Sequence, residues 1–338
     1  AQTDRNGPIR AVSGLCIIDF NGVYFAVQSE FSHIYKYSII FSGGIIMGKI
    51  AITERVTGHT ELIGLIAYPI RHSMSPTMHN EAFKKLGLDY VYVCFEVDNS
   101  TLEDTVKGLR AMKVRGWNVS MPNKGPITQY LDKLSPVSQI VGACNTVVND
   151  NGVLTGTITD GTGAMRSLKE EGVEYVGKKM TIVGAGGAAT AILVQEALDG
   201  VREIAVFNRR DEFFPKAEKV VAQLNEQTEC KVTLYDLADH PSLKRELDSS
   251  DIYIDGTSCG MKPLEGVVAI PDKSYLHKEL VVMDTVYAPR QTELMRWADE
   301  VGCKNFNGLG MMLYQGAEAF KLWTGKDMPV DFIRDVLF

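Results

Sequence analysis

The chain has 338 residues, 45% hydrophobic and 23% charged, with a formal net charge of −7; that length suits two domains of ordinary globular composition. The acidic balance argues against nucleic acid or an anionic membrane as partner, and no run of about 18 apolar residues offers a membrane span, but a small anion remains open to a few local donors. The six cysteines (Cys16, Cys94, Cys144, Cys230, Cys259 and Cys303) are scattered without a C-x-x-C pair, so neither a metal site nor a disulfide framework is indicated and a cytoplasmic setting fits.

Residues 1–46 mix apolar and polar residues without steady helical or strand periodicity, and lack the basic start and cleavage pattern of a signal peptide. Met47 then opens "MGKIAITERVTGHTELIGLIAYP", which reads like an ordinary N-terminus. Residues 1–46 are therefore expected to lie outside the main fold, as an upstream translation or an ordered appendage.

From residue 61 the pattern sharpens. "ELIGLIAYPI" is a short apolar run closed by Pro69, the mark of a buried strand. Ser75-Pro76 opens a helix whose apolar face carries Met78, Ala82, Phe83 and Leu86. "YVYVCFEV" alternates as a strand, Leu102, Val106, Leu109 and Met112 recur at helical spacing, and "VRGWNVSM" is the next strand. This alternation predicts parallel strands covered by helices, an α/β fold. "NTVVNDNGVLTGTIT" reads as two strands joined at Asn151-Gly152, with a helix from about Thr162 to Glu171. "KKMTIVGAGGAATAILVQEALDG" opens a second strand–turn–helix unit, followed by strands in "EIAVFNRRD", "CKVTLYD", "DIYIDGT" and "LVVMDTVY". The last strong helix, "GMMLYQGAEAFKLWTG", is apolar over much of its surface and is expected to return to the first domain.

The turn "VGAGGAA" follows an apolar strand and begins a helix. Gly184, Gly186 and Ala189 fit the dinucleotide fingerprint: a tight turn, a backbone that can approach a pyrophosphate, and close helix–strand packing. The next strand ends in "FNRRDEFF". There Asp211 can accept from a ribose 2′-hydroxyl, which selects NAD, while Arg209 and Arg210 can meet a 2′-phosphate, which selects NADP. Both chemistries coexist, and a solvated charge run is the plain alternative.

In the first domain, "RHSMSP" puts Ser73 and Ser75 at a helix N-terminus, two hydroxyls beside the positive end of a helix dipole, where a carboxylate can sit. Ser75 alone reads as an N-cap; Ser73 does not. Ser120, Lys124, Asn145 and Asp160 fall at or near element ends, where chain reversal can gather them. Asp160 can equally be a helix cap, and a lone loop lysine is usually a surface residue.

Eight motifs in order ("SMSP", "NVSMPNK", "GACNTVV", "TDGTG", "VGAGGAA", "FNRRDEFF", "GTSCGMKP" and "NGLGMMLYQGA") resemble the shikimate dehydrogenase family, most closely its quinate/shikimate dehydrogenase branch, from about residue 58 to the C-terminus. The resemblance implies an N-terminal α/β substrate domain (47–160 plus 309–338) and a Rossmann-type domain (161–308) facing a cleft, with the C-terminal helix returning to the first. It implies reversible NAD- or NADP-dependent oxidation of shikimate to 3-dehydroshikimate, a step of chorismate and aromatic amino-acid biosynthesis, and in the quinate-using branch of quinate to 3-dehydroquinate. Ser73 and Ser75 would hold the substrate carboxylate, and Ser120, Asn145, Tyr287 and Gln315 would contact the ring. Lys124 would be the acid/base, partnered by Asp160. Gly184, Ala185, Gly186, Gly187 and Ala188 would face the pyrophosphate, and Asn208, Arg209, Arg210 and Asp211 the adenosine ribose. Ser258, Thr285, Val286, Tyr287, Ala288 and Gly308 would line the nicotinamide end. No metal is implied, and a homodimer stands as one option for the assembly.

Three departures stand out. Ile158 occupies the place of a common asparagine, "NRRD" replaces the "NRT" of NADP-selective members and favours NAD or dual use, and Ser258-Cys259 replace a Lys-Val pair of some quinate-using relatives. A folate-linked methylene dehydrogenase shares the two-domain plan and a cleft lysine, but paired serines at a helix N-terminus favour a small carboxylate. A non-catalytic dinucleotide-binding regulator is the other alternative, and the presence of both Lys124 and Asp160 speaks against it.

Overall fold

The computed structural model describes residues 56–338 throughout and, between residues 10 and 51, the backbone of five strands. Two compact units divide the chain, Ala1–Thr60 and Glu61–Phe338. In the first, β1 (Arg10–Val12), β2 (Leu15–Phe20), β3 (Val23–Glu30), β4 (Ile34–Phe41) and β5 (Gly44–Ala51) form an antiparallel meander, each strand paired with the next. Residues 1–46 thus hold strands where the side-chain pattern carries no strand signal; antiparallel neighbours need only a tight reversal and a backbone ladder. β5 also runs across Met47, where the main fold was expected to open.

The second unit contains two six-stranded sheets. The first has β6 (Glu61–Ala67), whose last five residues are buried, flanked in parallel by β7 (Tyr90–Glu96) and β8 (Gly116–Val119). Helices α1 (Ser75–Leu86) and α2 (Leu102–Ala111) make the crossovers. β9 (Lys133–Leu134), α3 (Pro136–Val141), β10 (Thr146–Asp150) and β11 (Val153–Thr157) follow, giving the order β7-β6-β8-β10-β11-β9. The β10–β11 hairpin turns at Asn151 (φ 54°) and Gly152 (φ 94°), the left-handed pair that an Asn-Gly turn supplies.

Helix α4 (Asp160–Glu170) leads to the second sheet. It begins two residues earlier than the sequence pattern indicates, with Asp160 itself as its first residue. β12 (Lys179–Val183), α5 (Gly187–Leu198), β13 (Glu203–Asn208), α6 (Phe214–Gln227), β14 (Lys231–Asp236), α7 (His240–Asp248), β15 (Ile252–Asp255), β16 (Val281–Asp284), α8 (Glu293–Val301) and β17 (Lys304–Phe306) complete it. All pairings are parallel in the order β14-β13-β12-β15-β16-β17. This is the doubly wound arrangement, and its switch point lies between β12 and β15, where ligands bind beyond the strand ends.

Helix α9 (Leu309–Thr324) returns to the first sheet, and α10 (Val330–Leu337) closes the chain. Leu313, Phe320 and Trp323 share one core with Ile63, Phe83 and Tyr92. The Trp323 indole donates to the Val147 carbonyl at 2.9 Å. A Cβ on Gly116 would lie 2.3 Å from that indole nitrogen, so the missing side chain is what admits the helix. Among the described residues no helix is long and apolar enough to cross a membrane.

Candidate active site

The loop after β8 is fixed at three points. The Ser120 N–H donates to the Ile66 carbonyl (3.0 Å), the amide of buried Asn123 donates to the Val97 carbonyl (2.8 Å), and the Lys124 carbonyl accepts from the Cys144 N–H (2.8 Å). So held, Lys124 puts its ammonium 2.6 Å from Asp160 Oδ2, with side-chain exposures of 21% and 11%. Asp160 begins α4, where free N–H groups and the helix dipole favour a carboxylate. Its other oxygen accepts from Asn145 Nδ2 at 2.9 Å. The Asn145 amide also donates to Thr159 Oγ1 (3.1 Å) and accepts from the Thr159 N–H (2.9 Å). Three residues read from separate element ends therefore form one cluster.

At the N-terminus of α1 the two serines exchange the roles expected of them. Met74 occupies the N-cap position without a side-chain cap bond, and Ser73 Oγ accepts the Ser75 N–H at 3.2 Å. The Ser75 side chain instead borders the cleft. Proline at the second helical position shifts the cap upstream, so the hydroxyl that serves the backbone is that of Ser73. On α9, Gln315 closes this end, its amide donating back to the Met312 carbonyl at 2.9 Å.

The opposite wall is the turn after β12. Gly184 has φ +106°, and a Cβ on it would meet Gly256 at 3.1 Å, so the turn and the neighbouring strand end are in contact. Gly186 and Gly187 face open space, and α5 begins at Gly187. Bare backbone, unblocked N–H groups and a helix N-terminus fit a pyrophosphate. Beyond β13, Asn208 Nδ2 donates to Asp211 Oδ1 at 3.0 Å, and Arg209 lies 3.6 Å from Asp211 Oδ2. Arg210 is the exception among the expected ligands. It does not line the cleft: its guanidinium pairs with Asp236 at 3.0 Å and covers the Phe214 ring at 4.4 Å. Successive residues leaving a strand point to opposite sides, so only one of the two arginines can face the site. At the far end, the Thr285 hydroxyl donates to the Asp255 carbonyl (2.9 Å), and the Gly308 N–H to the Val286 carbonyl (3.1 Å).

One cleft of about 1070 Å³ takes in both walls. It is lined by Ser73, Ser75, Ser120, Lys124, Asn145, Asp160, Tyr287 and Gln315, and by every expected dinucleotide residue except Arg210. Ser258, Val286 and Ala288 are among them. Ile158, by contrast, is buried in the core with Ala191 and Met165. The sequence reading passed over His72, Asn118, Thr257, Met311 and Met312, which also line the cleft. A signal existed for Asn118: a polar residue in a strand whose four residues are all buried must have inward partners.

Comparison with known proteins gives the same picture. The family model described as "Shikimate dehydrogenase substrate binding domain" matches residues 65–147, and "Shikimate 5'-dehydrogenase C-terminal domain" matches residues 308–338. The chain is 62% identical over 287 residues to shikimate dehydrogenase (NADP(+)) of Listeria monocytogenes, covering 85% of this chain and 99% of that protein. The Streptococcus uberis protein of the same name is 57% identical, covering 85% and 98%. A crystal structure of the Listeria monocytogenes shikimate 5-dehydrogenase with shikimate and NAD superposes with a TM-score of 0.83 at 62% identity, over 85% of this chain and 99% of that one. Quinate dehydrogenase from Corynebacterium glutamicum with NAD gives a TM-score of 0.74 at 28% identity, over 82% and 98%. With the cleft, the glycine turn and the lysine–aspartate pair in place, the chain belongs to the shikimate dehydrogenase family.

Proposed function

We propose that the chain catalyses the reversible NAD(P)-dependent oxidation of shikimate to 3-dehydroshikimate, with Lys124 as acid/base and Asp160 as its partner. The observation that carries the reading is the 2.6 Å contact between those two groups, in a cleft whose other wall is the glycine turn. The Listeria monocytogenes relative, 62% identical, was crystallised with shikimate and NAD.

Oxidising a secondary alcohol removes a hydride from carbon and a proton from oxygen. A bound nicotinamide dinucleotide supplies the hydride acceptor. In oxidation Lys124 acts as the neutral amine, takes the hydroxyl proton and becomes the ammonium; in reduction the ammonium gives that proton back. Asp160 holds the amine in one orientation and is itself held by Asn145. Ser73 and Ser75, at the positive end of α1, receive the carboxylate, and Gln315, Ser120 and Tyr287 border the ring. Gly184 to Ala188 hold the pyrophosphate, and Asn208, Arg209 and Asp211 the adenosine ribose. Thr285 to Ala288, Ser258 and Gly308 bound the nicotinamide pocket.

The division of labour follows: of the second unit, residues 61–160 with 309–338 bind substrate and residues 161–308 bind the dinucleotide, while Ala1–Thr60 is a unit of its own, whose strand β5 takes in Met47, the expected start of the substrate domain. A reducing cytoplasm suits Cys94, Cys144, Cys230, Cys259 and Cys303, all free thiols. The test is the reduction of NAD and of NADP by purified protein with shikimate and with quinate, in all four combinations. Shikimate should be oxidised with at least one cofactor; absence of reduced cofactor in every combination rejects the reading.

A further inference from the structure

Behind the turns that bound the nicotinamide end of the cleft, Asp255 closes β15 and Asp284 closes β16 as register partners of a parallel pair. Register partners project from the same face of a sheet, and both side chains are buried, at 2% and 1% exposure. Their hydrogen-bond donors are all neutral. Asp255 accepts from the N–H and hydroxyl of Thr257 and from the Tyr253 phenol. Asp284 accepts from the Val286 N–H and the Thr292 hydroxyl. Among the described residues no lysine or arginine pairs with either carboxylate. The other titratable groups around the pair are the fully buried Tyr253 phenol and the Cys259 thiol. Arg209, the cation that acts on that thiol, is engaged with Asp211 at 3.6 Å.

Two buried carboxylates without a counter-charge resist ionising together, so the pair keeps one proton between them near neutral pH. Burial raises both groups, and at Asp284 the charge of Asp255 adds to it, pushing that carboxyl up to about 7. The pair does not line the cleft, but the residues that follow Asp284, Thr285 and Val286, do. Its field therefore crosses a single turn of buried backbone, where charge is weakly screened. The oxidised and reduced forms of a nicotinamide dinucleotide carry the same phosphates and differ by one positive charge on the ring. That charge is the counter-ion the pair lacks.

We propose that Asp255 and Asp284 form a proton-sharing pair that senses the charge of the bound nicotinamide, ionising beside the oxidised form and holding its proton beside the reduced one. This rests on the dinucleotide reading of the cleft. The proton leaves a carboxyl oxygen for solvent when the cationic form binds, and returns from solvent when the neutral form replaces it. A nearby cation favours the ionised pair. Linkage makes the effect mutual, so the ionised pair favours the oxidised cofactor over the reduced one. Raising the pH through 7 therefore tilts the site toward oxidised cofactor. Alcohol oxidation, which releases a proton, is tilted the same way.

The test is cofactor binding without substrate. Kd values for NAD+ and NADH, and for NADP+ and NADPH, are measured by calorimetry from pH 6 to pH 8.5. The full-length Lys124→Ala protein is used, so the lysine's own proton does not enter. The other titratable groups on the cleft, His72, Asp160 and Asp211, stay the same in every protein compared. The affinity for the oxidised form relative to the reduced should rise about fivefold or more across that range, a typical size for coupled sites. At pH 6.5, buffers of different ionisation enthalpy should show more proton release with the oxidised form. Adding Asp284→Asn should flatten the ratio. Should that protein not fold, Thr292→Val removes a donor to the ionised carboxylate and should move the rise to higher pH. A merely structural role weakens both forms alike and leaves the pH dependence of their ratio intact, which overturns the proposal. Binding of both forms with a ratio that is flat before Asp284 is changed overturns the charge sensing alone and leaves the dinucleotide reading standing. A protein that binds no form at any pH ends that reading, and the proposal with it.

Discussion

Asp255 and Asp284 end neighbouring parallel strands at matching register positions, so two buried carboxylates share one face of the sheet directly behind the dinucleotide wall. Asp255 accepts from the Thr257 N–H (2.9 Å), the Thr257 hydroxyl (2.6 Å) and the Tyr253 phenol (3.0 Å). Asp284 accepts from the Val286 N–H (2.9 Å) and the Thr292 hydroxyl (2.6 Å). These bonds pin the turns that bring Thr257, Ser258 and Val286 to the cleft. Burial first, and then the charge of Asp255, pushes Asp284 up to about 7. Asp284 thus binds its proton more tightly when folded than when unfolded. Its stabilising contribution is complete below the unfolded carboxyl range and is lost as pH rises toward 7. For this group the slope is on the order of 1.4 kcal/mol per pH unit. Asp284→Asn should remove that slope. Urea unfolding at pH 5 and pH 7.5 measures it, and an identical pH response in variant and wild type would rule the effect out.

Lys124→Ala should lower kcat by about 10²–10⁴, the usual worth of a positioned acid/base. The fold should survive, because the loop is held through backbone and Asn123 contacts and Asp160 keeps its bond to Asn145. Steady-state kinetics beside a melting curve separates the two effects. Near-normal turnover in a well-folded variant removes Lys124 from the mechanism.

Much of this site was legible because its chemistry sits in short motifs at element ends, where period and turn residues are readable. The glycine turn is of that kind; Lys124 and Asp160 were legible only as residues at element ends, and their roles came from the family resemblance. What was not legible depends on side-chain direction and on partners far away in the chain. Whether the hydroxyl of Ser73 or of Ser75 serves the backbone at the start of α1 turns on where Pro76 sets the first helical turn. Which of Arg209 and Arg210 faces the cleft turns on the local twist leaving β13 and on Phe214 and Asp236 waiting outside. Tyr92 and Thr146 look like ordinary strand residues; only the meeting of β7, β8 and β10 makes them partners of Asn118. The strands of residues 10–51 had no alternation to announce them.

Cofactor preference should respond to Asp211 and Arg209 and not to Arg210. Asp211 is anchored by Asn208 and by the Phe213 N–H (3.0 Å), which fixes a negative group where the ribose 2′ position would lie. Asp211→Asn should shift kcat/KM toward NADP over NAD by about tenfold or more, the scale of one charged hydrogen bond. Arg209→Ala should weaken NADP use selectively. Arg210→Ala should leave the KM of both cofactors unchanged, since its guanidinium is engaged by Asp236. Cofactor titrations of the three variants decide it, and a loss of NADP use in Arg210→Ala would reverse the assignment of the two arginines.

Helix α4 carries Asp160, α9 carries Gln315, and the two touch where Gly163 has no side chain. A Cβ there would lie 2.6 Å from the Gln315 backbone nitrogen and 2.8 Å from the Met311 carbonyl, and backbone cannot yield as a flexible side chain can. Gly163→Ala should therefore force the helices apart and cost about 1–3 kcal/mol of stability. Because α9 moves with Gln315, the KM for shikimate should rise, while the dinucleotide, held by the turn before α5, should bind as before. Gly108→Ala on α2 is the internal comparison: it meets nothing within 4 Å, so helix propensity alone should stabilise it by about 0.5–1 kcal/mol. Opposite signs from the same substitution would show that contact between α4 and α9, rather than helix propensity, sets the distance across the substrate end of the cleft; a Gly163→Ala protein as stable as wild type would show that the two helices can slide without loss.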